Sequence, residues 1–122
     1  MSRAAMHSNT GEVHKALRDV MQDNAWHPFS EFLSAVRTLI TPERASRIWL
    51  HEEKYRIRRL KNYDPEADIS EELSKTPHEA RVAFGVRRHT SNVLSRMVAK
   101  AIAERNKVDG VNHYRLVPNE NT

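Results

Sequence analysis

The chain contains no cysteine, and it has only three glycines, five prolines and 7% aromatic residues. Each scarcity excludes something. Without cysteine there is no disulfide framework and no thiolate zinc site. With Gly11, Gly85 and Gly110 far apart, no glycine-rich loop cradles a phosphate. No apolar run approaches the roughly 20 residues that span a bilayer, and "MSRAAMHSNT" lacks the apolar core of a secretory signal. A cytoplasmic protein without a membrane partner is therefore expected. The seven histidines, at positions 7, 14, 27, 51, 78, 89 and 113, include no pair at the i, i+4 spacing of a helical zinc site. His51-Glu52-Glu53 reads as part of an exposed charged helix, and His27 beside Trp26 as a packed ring. No catalytic constellation stands out, so no enzyme activity, cofactor or metal is expected.

What the chain has is charge. It is 30% charged with a net charge of +4 and an isoelectric point near 9.7. Residues 42–60 are net +3, residues 61–80 net −4, and residues 81–107 net +6. Two basic segments flank an acidic insert, an arrangement that points to a polyanionic partner. At 122 residues the chain fits one compact domain of ordinary size.

Residues 1–9 read as a disordered tail. Thr10 is a candidate helix cap, followed by Val13, Leu17, Val20 and Met21 at helical spacing, with Asn24 as a stop. "AWHPF" is too short and too proline-broken for a helix and reads as an extended piece with Trp26 and Phe29 pointing inward. Ser30 is expected to cap a second helix whose stripe is Phe32, Leu33, Val36 and Ile40. Thr41 as cap and Pro42 at the first helical position then start a third helix over 42–60, after a turn short enough for a helix-turn-helix. Ala45, Ile48, Trp49, Tyr55 and Leu60 are taken as its apolar side, a surface that can pair with a second copy. Arg44, Arg47, His51, Lys54 and Arg58 share the opposite face at offsets of three, seven, ten and fourteen. Residues 61–75 read as a polar, acidic loop with Pro65 as breaker and one helical turn at 70–74.

"TPHE" at 76–79 resembles a capping box that starts a helical pattern running toward residue 104, weakened at Gly85 by about 1 kcal/mol relative to alanine. It is either one long helix or two collinear ones. Val93, Leu94, Met97, Val98, Ala101 and Ile102 form its apolar stripe. The outer side holds Arg88, Asn92, Ser95, Arg96 and Ala99, with no acidic residue before Glu104. That inventory suits a DNA major groove, where arginine matches guanine and asparagine matches adenine. Arg87, Arg88 and His89 are candidates for flanking phosphates. Asp109-Gly110 signals a hairpin turn, after which alternation places Tyr114 and Leu116 on one face. Lys107 near the tip, with Arg105, His113 and Arg115 along the strands, would lean on the DNA backbone. A loose tail, 118–122, completes the chain.

With "EVHKALRDVMQDN", "WHPF", "FSEFLSAVRTLI" and "VLSRMVAKAIAERNKVDGVNHYRLV" in that order, the chain resembles a winged-helix DNA-binding domain. "TPERASRIW" and "AFGVRRHTSNVL" are similar in style to small phage-encoded winged helix-turn-helix proteins of the transcription-regulator kind. The resemblance covers most of residues 12–117. It implies a mainly α fold with a small β-hairpin, here spanning 10–117 with a helical insertion at about 42–85. It also implies a sequence-specific regulator that binds double-stranded DNA in the host cytoplasm. Helix 87–103 and the wing 105–116 would read the duplex, with helix 42–60 on the backbone; the alternative makes 42–60 the recognition helix. Two further readings stand beside this one. One is an interaction module for a host protein or a second copy; the other is a replication or recombination accessory protein with little sequence preference.

Overall fold

The apolar periodicities resolve into five helices and three strands among the described residues. These are α1 (Ser2–Val20), β1 (His27–Pro28), α2 (Phe29–Val36), α3 (Pro42–Leu60), α4 (Ser70–Ser74), α5 (His78–Ala99), β2 (Ala103–Val108) and β3 (Val111–Leu116). The computed structural model describes residues 2–60, 64 and 68–118, with side chains from residue 11 onward. Residues 61–63 and 65–67 of the expected loop, Pro65 among them, and the tail beyond residue 118 lie outside the described residues. The three strands form an open sheet in the order β1-β3-β2. A mainly helical chain with such a sheet is compatible with a winged-helix type of arrangement. The chain divides into two compact units: a composite unit of residues up to Ile40 and from Thr90 on, and an inserted unit, Thr41–His89.

The composite unit buries Val13, Leu17 and Met21 of α1, Phe32 and Val36 of α2, Val93, Leu94 and Met97 of α5, and Ala103 and Tyr114 of the sheet. Each large apolar side chain so buried stabilises the unit by about 1.5–3 kcal/mol. Phe32 meets Tyr114 edge to face, with ring centroids 5.6 Å apart. α1 starts at Ser2, well before the expected cap at Thr10; Ala4, Ala5 and Met6 are strong helix formers. It ends at Val20, four residues before the expected stop at Asn24; a turn follows and closes at Asn24, whose positive φ of 61° accompanies donation of its amide to the Met21 carbonyl at 3.1 Å. α2 begins at Phe29 with Pro28, not Ser30, in the cap position, and it stops at Val36 rather than Ile40. Asp109 and Gly110, with φ of 51° and 80°, make the two-residue turn with both φ positive that matches strand twist. Across it Ala103 pairs with Leu116, Arg105 with Tyr114 and Lys107 with Asn112.

α5 is one continuous helix, but it ends at Ala99, short of residue 104. Ala101 turns left-handed at φ 60°. Its amide donates to the Val98 carbonyl (3.0 Å), and that of Ile102 donates to Met97 (2.9 Å). This is a Schellman closure built on alanine where glycine is usual. Ala101 and Ile102 therefore leave the expected helical stripe, and Glu104 belongs to β2.

In the inserted unit, Thr41 caps α3 as read: its Oγ1 accepts from the Arg44 amide at 3.2 Å. Asp68 accepts from both the amide and the hydroxyl of Ser70 at the start of α4. α5 begins one residue later than "TPHE" implies, with Arg81 N–H donating to the Pro77 carbonyl. Ala45, Trp49 and Ile57 are buried, whereas Tyr55 and Leu60 are exposed. The expected apolar side thus fails at Tyr55, which lies six residues from Trp49 and so on another side of the helix. Arg81 binds this unit together, donating to the carbonyls of Thr76 and Leu73 at 2.7 Å each while its guanidinium lies 4.5 Å from the Trp49 ring centroid. Gly85 is where α5 meets α3: a Cβ there would sit 1.9 Å from the Ala45 carbonyl oxygen.

Candidate nucleic-acid interface

Burial of Val93, Leu94 and Met97 on one side of α5 forces the residues between them outward. Asn92, Ser95, Arg96, Ala99 and the following Lys100 are all exposed. This surface carries two cations, two neutral hydrogen-bonding groups and no carboxylate. Arg96 and Lys100 also border a shallow cavity of about 190 Å³ that includes His14 of α1. His14 and Lys100 were not singled out in the sequence. The spacing of Arg96 and Lys100 was visible there, but the approach of α1 was not. On the hairpin, Arg105, Asn106 and Lys107 are exposed. Arg105 and Lys107 share the sheet face of Tyr114, Arg105 directly opposite it and Lys107 two residues nearer the turn.

The base of the hairpin is braced by residues that sequence reading had assigned elsewhere. Arg115 donates through Nε to Glu104 Oε2 at 3.2 Å, and its guanidinium lies 4.5 Å from the Trp26 ring centroid. The expected backbone-contacting Arg115 is thus engaged inside the composite unit, because the β2–β3 register sets Glu104 directly opposite it. Trp26, expected inward, is half-buried beneath it. His113 points its Nδ1 at the Val111 carbonyl, 3.0 Å away. His27 is held between two carboxylates, with Nε2 2.7 Å from Asp23 Oδ1 and Nδ1 2.5 Å from Glu31 Oε2. The Asp23 hydrogen bond is the largest cause of a raised His27 pKa, and the same bond lowers that of Asp23. His27 also pairs with Tyr114 of β3, the middle strand of the sheet, and its side chain ties β1 to the preceding turn through Asp23 and to α2 through Glu31.

The remaining expected contacts lie in the inserted unit. His89 is buried, at 8% exposure, and cannot serve as a phosphate clamp; α5 packs it inward as part of its apolar side. Arg88 is exposed, but its Nε is 2.8 Å from Glu52 Oε2 and its guanidinium lies 5.5 Å from the Phe84 ring centroid. Its charge is thus countered by α3, a pairing across 36 residues that no local pattern signals. Arg87 is exposed. The five-residue basic face of α3 is uneven: Arg47 and His51 are exposed, whereas Arg44, Lys54 and Arg58 are half-buried, and Arg58 Nε is buried without a hydrogen-bond partner. Among the described residues, no group of three histidine or carboxylate side chains is placed to hold a metal ion, and no helix is long and apolar enough to cross a membrane. Compared with known protein families, curated proteins and solved structures, the chain has no match.

Proposed function

We propose that the composite unit binds duplex DNA as a sequence-specific, non-enzymatic regulator of the phage type, reading bases with α5 and steadying the backbone with the hairpin. The observation that carries this reading is the carboxylate-free exposed surface Asn92–Lys100, which runs through the Ala101 turn straight into a hairpin bearing Arg105 and Lys107. A helix entering the major groove needs exposed donors and acceptors; Asn92, Ser95 and Arg96, in the C-terminal half of α5, supply them. Lys100, Arg105 and Lys107 are suited to phosphates, and His14 adds a ring beside Arg96. Arg47 and Lys54 of α3 belong to the inserted unit and are not part of this surface; Arg88 and His89 of that unit, and the ion-paired Arg115, are left out as well.

Fluorescence polarisation with an oligonucleotide selected from a random pool, and with random duplex, across a salt series tests the proposal. Affinity is expected to fall steeply with salt on both, with the selected site bound more tightly. Absence of binding even at low salt would replace this reading with that of a protein-interaction module.

A further inference from the structure

The exposed large apolar residues described in the inserted unit take no part in the DNA reading. Tyr55 is 60% and Leu60 73% exposed, and Phe84 of α5 is 37% exposed. Tyr55 and Phe84 line a cleft of about 580 Å³ together with His51, Glu52, Arg59 and Arg88. Tyrosine and arginine at this density are the composition of a protein contact surface.

The order of charge along α3 identifies the occupant. Glu52, Tyr55 and Arg59 share one face at offsets of three and seven, acidic at one end, aromatic in the middle and basic at the other. Reversing the helix direction lays this row on itself. In an antiparallel pair centred level with Tyr55 and Arg56, each Glu52 faces the other copy's Arg59, and the two Tyr55 rings meet across the two-fold axis. Such a contact is isologous and closes at two chains. A polyanion fits less well, because Glu52 and Glu53 both border the cleft.

The internal contacts permit the pairing. Arg59 lies against the Tyr55 ring, 6.0 Å from its centroid, so the two side chains present one surface. Glu52 is bound to Arg88 through Oε2, and a carboxylate accepts a second cation on its other oxygen.

We propose that the inserted unit pairs with a second copy of this chain through antiparallel α3 helices centred on Tyr55. The pairing is independent of whether the composite unit binds DNA.

The absence of cysteine gives a clean test in the full chain. Tyr55→Cys is expected to oxidise to a covalent dimer. Arg47→Cys is expected not to, because its two copies would lie about 25 Å apart at 1.5 Å per residue, far beyond disulfide reach. In sedimentation velocity from about 1 to 100 μM, the native chain is expected to dimerise. Arg59→Glu, which sets like charges face to face, is expected to raise the dimer Kd at least about tenfold. Adding Glu52→Arg is expected to bring it back to within about threefold of the native value. Thermal unfolding of each variant establishes that it folds. A native chain that stays monomeric throughout, equal cross-linking at both cysteines, or no response to Arg59→Glu would overturn the proposal.

Discussion

His27 shows how much one side chain can carry here. Only the doubly protonated imidazolium donates to both Asp23 and Glu31, so the cluster is complete only while the ring is charged. A histidine with a raised folded pKa contributes stability fully below its unfolded value, near 6.5, and that contribution is lost as pH rises through the folded value. Asp23 acts in the other direction: its lowered pKa contributes above about 3.8 and is lost as pH falls through the folded value. The thermal unfolding midpoint is therefore expected to decline as pH is raised from about 6 toward 8, as His27 loses its bonds to the turn and to α2. His27→Gln should flatten that decline, as followed by circular dichroism. An unchanged slope in the variant would assign the pH response to another group. At the same scale, Arg115 shows how a basic side chain can be occupied within the fold. An arginine in a basic hairpin looks available until the register places a carboxylate opposite and an indole beneath it.

At the scale of single elements, α5 supplies two contrasting substitutions. Ala101 holds a left-handed conformation that costs an L-residue roughly 1–2 kcal/mol. Glycine there is expected to raise stability by up to about 1 kcal/mol, visible as a higher urea midpoint with an unchanged slope. Gly85 behaves oppositely. Alanine would gain about 1 kcal/mol of helix propensity, yet its methyl group would collide with the Ala45 backbone, which no rotamer change relieves. Overpacking of this kind costs about 1–3 kcal/mol and outweighs the propensity gain, so Gly85→Ala is expected to lower the midpoint. The same elements show what could be read from sequence. The bounds of α3, the turn at 70–74 and the Asp109-Gly110 hairpin were legible because each is set by a few adjacent residues. The end of α5 was not, because the helical stripe continues in composition past the point where Ala101 turns. Gly85 looked like a weakness in a helix because its reason lies on α3.

At the scale of the whole molecule, the candidate DNA surface was legible in its central part and not at its margins. Asn92, Ser95, Arg96 and Lys107 are exposed as their positions relative to the apolar stripe and the hairpin turn required. His89, Arg88 and Arg115 departed because burial and ion pairing depend on residues distant in sequence. The two kinds of contact predict different losses. Asn92→Ala is expected to weaken the selected site by about 1–3 kcal/mol and to relax its preference. Lys107→Ala is expected to weaken all sequences alike and to reduce the salt slope by about one. Polarisation titrations on cognate and random duplex distinguish them; equal losses on both for Asn92→Ala would remove α5 as the reader.

Among the described residues, the order β1-β3-β2 leaves one long flank of the sheet, that of β2, without a neighbouring strand. Such a flank is a template onto which another hairpin can zip. Glu104, Arg105 and Lys107 occupy half of its six positions. Charged side chains along such a flank disfavour strand-by-strand addition, so Arg105 and Lys107 would guard the flank of the sheet whether or not they also meet a polyanion.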